Sequence, residues 1–151
     1  MDVRMADFNY YFRVRYGECD AQSVVFNARY ADYVDITMTE YFRVFYGGFE
    51  NLITQGYETQ VVNLNISWKS SARFDDVIHG TVGVKKIGNS SFTCQVHLTQ
   101  QQSKKPIASA DITYVCVDSS SFEKKAVPQS LREAFDAPIQ PITINHAGDV
   151  A

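Results

Sequence analysis

Residues 27–45 read NARYADYVDITMTEYFRVF, nineteen positions without a glycine or a proline. Apolar and aromatic side chains recur at Tyr30, Tyr33, Val34, Thr37, Met38, Tyr41, Phe42 and Phe45, close to the 3.6-residue period of an α-helix. Gly47-Gly48 supplies a stop. Asp32, Asp35, Glu40 and Arg43 are few polar positions for a helix of this length, so protein rather than water should cover most of it.

The flanking sequence has a different period. Upstream, Tyr10, Phe12, Val14 and Tyr16 alternate with Tyr11, Arg13 and Arg15, which reads as a strand with one apolar and one basic face, ending at Gly17. Downstream, Val62, Leu64, Ile66 and Trp68 alternate with polar neighbours, as do Phe92, Cys94, Val96 and Leu98, the pattern of strands half buried on one face. Two more strands run around Val77 to Lys86 and Ile107 to Val117, with turns at Ile87-Gly88-Asn89-Ser90 and Gln101-Gln102-Ser103-Lys104. Four long strands in succession predict an antiparallel meander. Gln129 to Phe135 reads as a short helix introduced by Pro128, and the tail carrying Pro138 and Pro141 reads as extended or disordered. The expected fold is therefore α+β: one curved antiparallel sheet wrapped around a long central helix, a single domain over residues 1–135 with a tail over 136–151. Such a sheet leaves edges, and self-association into a dimer or a tetramer would cover them.

Composition narrows the function. The 151 residues suffice for one core, and 45% hydrophobic with 21% charged content is ordinary for a globular chain. A net charge of -3 without a basic stripe argues against a nucleic-acid binder. No run approaches membrane-spanning length, so no membrane insertion is expected. The N-terminus has no apolar stretch of signal-peptide length, and Cys19, Cys94 and Cys116 suggest neither a disulfide framework nor a zinc site. The expectation is a cytoplasmic protein that binds no metal.

Chemistry concentrates just before the helix. In YGECDAQSVVFNARY, residues 16–30, Asp20 lies seven residues ahead of the expected helix start at Asn27. A carboxylate there can attack a carbonyl or deprotonate water, while free N–H groups at the helix N-terminus receive the charge developing on oxygen. Asn27 is expected to cap the helix through its side chain, with its own or its neighbour's N–H as the oxygen donor.

The stretches YGECDAQSVVFNARYADYVD (16–35), SSARFDDVIHGTV (70–82), IGNSSFTCQVHL (87–98) and ITYVCVDSSSFEKKAVPQSL (112–131) together resemble the hotdog-fold acyl-CoA thioesterases of the 4-hydroxybenzoyl-CoA thioesterase-like class. That class includes the bacterial acyl-CoA thioesterases associated with the Tol-Pal system. The resemblance covers roughly residues 10–135. It implies hydrolysis of an acyl-CoA substrate by a homo-oligomer, with no cofactor beyond the coenzyme A of the substrate itself. It places Asp20 at the family's catalytic carboxylate, as nucleophile or general base, and Tyr16 at a site tyrosine of part of the family. Asn27 falls where a helix N-terminal N–H meets the thioester oxygen and where the Tol-Pal-associated branch carries histidine. Thr59 and Gln60 match positions facing the acyl group. Lys85, Lys86, Ser90 and Ser91 stand nearest to where other members hold the coenzyme A phosphates, and Gln22-Ser23 replaces a turn in which glycine is common.

Other groups carry weaker signals. Cys19 has no histidine near it in sequence, and Ser23 lacks a G-x-S-x-G setting. His79, His97 and His146 have no ligand spacing, while Asp35 and Glu40 fit a solvent or subunit stripe paired with Arg43. Two other readings of the fold are an acyl-thioester hydratase or dehydratase, disfavoured by the lack of a histidine in residues 27–45, and a non-catalytic acyl-binding or assembly module.

Overall fold

The computed structural model describes residues 3–149; residues 1, 2, 150 and 151, at the outer ends of the domain and tail read from sequence, lie outside the described residues. In chain order the elements are β1 (Arg4–Met5), β2 (Phe8–Arg13), a 3-10 turn (Tyr16–Glu18), α1 (Arg29–Tyr46), α2 (Glu50–Thr54), β3 (Tyr57–Trp68), β4 (Val77–Ile87), β5 (Ser91–Gln100), β6 (Pro106–Asp118), α3 (Gln129–Asp136) and β7 (Ile142–Asn145). The strands form one sheet of order β3-β6-β5-β4-β2-β7, with β1 also paired to β4.

Helix α1 lies against this sheet as its apolar stripe requires. Tyr30, Tyr33, Val34, Thr37, Met38, Tyr41, Phe42 and Tyr46 are buried. Gly47 and Gly48 take φ of 81° and 96°, and the Gly48 N–H closes the helix on the Phe42 carbonyl at 2.9 Å. Phe42 centres an aromatic core, stacked on Phe49 at 4.0 Å and flanked by Phe92, Tyr114 and Phe135. The helix lies close against the sheet at Gly80, where a Cβ would stand only 3.0 Å from Cγ2 of Thr37.

Two expectations need correction. The antiparallel meander holds for β4, β5 and β6, but β3 pairs with β6, from Tyr57 opposite Asp118 to Trp68 opposite Ala108, rather than with β4. The connection over residues 69–76 carries the chain past two strands and across the start of α1, where the Val25 N–H bonds to the Ala72 carbonyl at 2.9 Å. Second, β3 is not half buried: Val61, Val62 and Trp68 are 50%, 58% and 48% exposed. It is the sheet edge, its register shifts between Val61 and Asn63, and the protomer covers its apolar face only in part: Ile66 packs against the core and Trp68 meets Tyr30 edge-on, while Val61 and Val62 stay open. The tail, expected to be extended or disordered, is extended over part of its length. Residues Ile142–Asn145 add a strand parallel to β2, from Phe8 opposite Ile142 to Tyr11 opposite Asn145. Arg13 secures it by donating to the carbonyls of Ala147 and Asp149.

Candidate active site

The chain leaves β2 through the 3-10 turn and enters a tight loop. Cys19 bridges to Val25, and the Phe26 N–H donates to the Glu18 carbonyl at 2.9 Å, so the loop is closed at its neck. Asp20 sits just inside. Its N–H bonds to the Val24 carbonyl, its carbonyl accepts the Ser23 N–H, and its Oδ1 accepts the Gln22 N–H at 2.8 Å. Oδ2 has no hydrogen bond among the described residues. Ser23 takes φ of 65°, the left-handed conformation glycine adopts most easily, at the point where the resemblance leads one to expect glycine.

The helix begins later than its sequence suggests, at Arg29. The Arg29 N–H closes a first turn on the Phe26 carbonyl at 2.8 Å. Asn27 therefore already lies within that turn, and its side chain makes no hydrogen bond among the described residues, which corrects the expected side-chain cap. The N–H groups of Asn27 and Ala28 have no acceptor among the described residues, and both residues are exposed. Asp20 and Asn27 line one cleft of about 550 Å³ with Gln22, Tyr30, Trp68 and Lys69. Asp20 also borders a second hollow of about 380 Å³ with Tyr16, Ser23 and Phe74. Tyr16 is 79% exposed, beyond the end of β2 rather than on its buried face, and meets Phe74 edge-on at 5.6 Å. The Tyr30 hydroxyl accepts the Ala72 N–H at 3.1 Å and holds the 69–76 connection over the helix start. Burial pushes the Tyr30 phenol above its usual range.

Glu18 is the charged residue that sequence reasoning missed. It is 9% exposed, two residues before Asp20. Burial pushes its carboxyl up, but hydrogen bonds from the Arg15 N–H, the Tyr33 hydroxyl and the Arg15 guanidinium outweigh this and hold it below the usual glutamate value. In sequence it resembles any exposed acid, and Arg15 three residues earlier was the one available signal.

The remaining predicted residues form a separate group. Gln60, Val115 and Ser91 lie in one row across β3, β6 and β5, with Lys86 opposite Thr93 and Ser90 in the adjoining turn. Thr59 lies opposite the buried Cys116, on the helix side of β3 with Trp68, whereas Gln60 belongs to the outer face. Lys85 is held in an ion pair with Asp111, while Lys86 is exposed. Within β3, Thr59 is nine residues from Trp68, roughly 30 Å at about 3.4 Å per residue. One protomer thus gathers Tyr16, Asp20 and Asn27 at one end of the sheet, and Thr59, Gln60, Lys86, Ser90 and Ser91 at the other.

The Cys19 thiol donates to the Arg15 carbonyl, while His79 bonds Asn9 and His97 bonds Gln95, so no cysteine–histidine pair forms among the described residues. Burial pushes the Cys94 thiol up to about 12 and the Cys116 thiol up to about 11. Glu40 pairs with Arg43 at 3.2 Å. Among the described residues no group of three His, Cys, Asp or Glu is placed to hold a metal ion, and no helix is long and apolar enough to cross a membrane.

A curved sheet about one long helix, with a carboxylate loop leading into that helix, is the architecture of the hotdog-fold thioesterases. Residues 14–135 match the model of the thioesterase-like superfamily, and the chain belongs to that family. It is 26% identical over 129 residues to the acyl-CoA thioesterase YbgC of Haemophilus influenzae, covering 85% of this chain and 93% of that protein. Among solved structures it is similar to a thioesterase-superfamily protein from Jannaschia sp. CCS1, with a TM-score of 0.80 at 19% identity over 88% of this chain and 93% of that one. The 1,4-dihydroxy-2-naphthoyl-CoA thioesterase from Synechocystis superposes with a TM-score of 0.78 at 20% identity, over 87% and 98%.

Proposed function

We propose that this protein hydrolyses an acyl-CoA thioester to a carboxylic acid and free coenzyme A. The observation that carries the reading is the cleft that Asp20 and Asn27 line together, with a carboxylate oxygen on one side and helix-start N–H groups on the other that have no partner among the described residues. The thioester carbonyl oxygen takes the N–H of Asn27 or Ala28, which stabilises charge developing on it. Asp20 then either attacks the carbonyl carbon, expelling the thiolate and leaving an anhydride that water cleaves, or takes a proton from the water that attacks. In both routes one water is consumed: its oxygen enters the acid directly or replaces an Asp20 oxygen that has passed to the acid, and a proton from it turns the departing thiolate into the thiol. Tyr16, with Phe74, walls the hollow on the other side of Asp20.

The site is completed by a second copy of the chain. β3 has a free edge and exposed apolar side chains, and antiparallel pairing of two β3 strands about an axis near Asn63 and Leu64 sets Thr59 of each copy near Trp68 of the other. The same operation carries Gln60, Lys86, Ser90 and Ser91 of one copy towards the Asp20 cleft of the other, where the lysine and the serines supply contacts for the coenzyme A arm. Lys85 is a poorer phosphate ligand because Asp111 already neutralises it.

The test is release of free thiol from a panel of acyl-CoAs of differing chain length and aromaticity, by the wild type and by Asp20→Asn. The reading expects hydrolysis of at least one member and its loss in the variant. Full activity in the variant refutes the role of Asp20, and no hydrolysis by the wild type favours an acyl-binding module.

A further inference from the structure

Among the described residues, Glu18 is the only charged side chain in the buried interior, and every oxygen it carries is engaged. Oε1 accepts the Arg15 N–H and the Tyr33 hydroxyl, each at 2.8 Å. Oε2 accepts Nε and Nη2 of Arg15 at 3.2 and 3.1 Å. Its carbonyl accepts the Phe26 N–H at 2.9 Å. These bonds reach three places. Arg15 is the entry to the 3-10 turn, Phe26 is the residue just before Asn27, and Tyr33 lies on the second turn of α1.

We infer that Glu18 is a positioning residue: it clamps the neck of the Asp20 loop to α1 and so sets the Asp20 carboxylate against the open N–H groups of the helix start. The inference rests on the role given to Asp20 above. The loop from Cys19 to Val25 has few other ties to the helix: its remaining backbone bonds run within itself, to Tyr16 in the 3-10 turn, or to Ala72, which reaches α1 through the Tyr30 hydroxyl. Without the carboxylate, the Tyr33 hydroxyl and the Arg15 guanidinium lose their common acceptor, and the neck keeps only the bond accepted by the Glu18 carbonyl and the indirect link through Ala72 to Tyr30. Glu18 does not reach the cleft, so its loss should act on the spacing of the reacting groups rather than on the binding of substrate.

The experiment compares the wild type, Glu18→Gln, Tyr33→Phe, the double variant, Asp20→Asn and Leu131→Ala. Leu131, fully buried on α3, serves as a control for general destabilisation. On the best acyl-CoA of the panel, Glu18→Gln is expected to lower kcat roughly 10- to 100-fold with KM changed less than about two-fold. Tyr33→Phe should show the same split to a smaller extent, and the double variant should be no slower than Glu18→Gln, because both act through one strut. Leu131→Ala should melt earlier and keep its kcat. Amide hydrogen exchange gives a second readout that needs no activity: in Glu18→Gln and Tyr33→Phe the amides of residues 19–28 should exchange faster while those of 91–118 hold.

An unchanged kcat in both variants, multiplicative losses in the double, or unchanged exchange over residues 19–28 overturns the inference. If Glu18→Gln does not fold, Tyr33→Phe decides by the same two readouts. Full activity in Asp20→Asn refutes the assignment of Asp20 instead, and the exchange data still decide whether Glu18 holds the loop. If the wild type cleaves no acyl-CoA, exchange alone decides.

Discussion

Gly80→Ala should destabilise the fold by pressing α1 off the sheet. Gly80 lies on β4 beneath the helix, and an added Cβ would meet Thr37 Cγ2 at 3.0 Å, Thr37 Oγ1 at 3.1 Å and Leu98 Cδ2 at 3.6 Å. Comfortable carbon–carbon contact is about 3.5–4.0 Å, so Thr37 would have to retreat by about half an ångström. It has little room to do so. Thr37 is 0% exposed, and its hydroxyl donates to the Tyr33 carbonyl at 2.7 Å, so rotating it away gives up a buried hydrogen bond worth about 1 kcal/mol. Overpacking of this kind costs about 1–3 kcal/mol. Removing a glycine from the unfolded chain returns about 0.5 kcal/mol, which leaves a net loss of about 1–2 kcal/mol. For a domain of this size that is a fall in Tm of roughly 3–8 °C.

Calorimetry and urea unfolding of Gly80→Ala, Thr37→Ala and the double variant measure it. Thr37→Ala opens the space, so Gly80→Ala should cost little in that background, giving a coupling of about 1 kcal/mol or more. A stabilised Gly80→Ala, or an equal loss in both backgrounds, refutes the close approach of helix and sheet at this point.

Three other perturbations have defined outcomes. Ser23→Gly relieves the left-handed strain at φ 65°, set against the unfolded-state entropy of glycine, and should raise stability by about 0.5 kcal/mol in urea unfolding; a loss would contradict the conformation of the Asp20 loop. Leu64→Lys places a charge in the exposed edge of β3, 37% exposed in the protomer, and should shift the protein to monomers in sedimentation velocity and remove activity with them; an active monomer would contradict the paired site. The Glu18 carboxyl is held below its ordinary value of 4.5, so its contribution to stability is present above that value and lost as pH falls through the lower folded value. The stability gap between wild type and Glu18→Gln, followed by thermal melts, should therefore shrink as pH drops below about 4.5, and a gap that widens there would reverse the sign of the argument.

Local patterns were readable in the sequence where one element determines its own form. The period of Tyr30, Tyr33, Val34, Thr37 and Met38 and the stop at Gly47-Gly48 place α1 to within two residues at its start and one at its end. Strands β4, β5 and β6 follow from alternation and from their turns, because successive antiparallel partners are also neighbours in sequence. Pairing between distant segments was not readable. Nothing in residues 57–68 says that they lie beside β6, and nothing in Ile142–Asn145 says that they run parallel to Phe8–Tyr11. Alternation in β3 identifies an apolar face without telling whether helix, solvent or another copy covers it. The site divided in the same way. The placing of Asp20 ahead of a helix was legible, but Asn27 was misread as a cap because the backbone of Phe26, not a side chain, closes the first turn. Glu18 escaped because its partner Tyr33 is fifteen residues away and becomes adjacent only once the loop folds onto α1.

In the proposed function each site is built from the Asp20 loop of one copy and the Thr59 end of β3 of another. Mixing two inactive variants tests it most directly: Asp20→Asn, and Thr59→Arg, which fills the opposite wall with a bulky charge. After subunit exchange of equal amounts, a site shared between copies leaves one intact site in each mixed dimer, and acyl-CoA hydrolysis should recover to about a quarter of the wild-type rate. A site contained within one copy has no intact member in any combination. A mixture as inactive as its two components, with exchange of subunits demonstrated, would contradict the account.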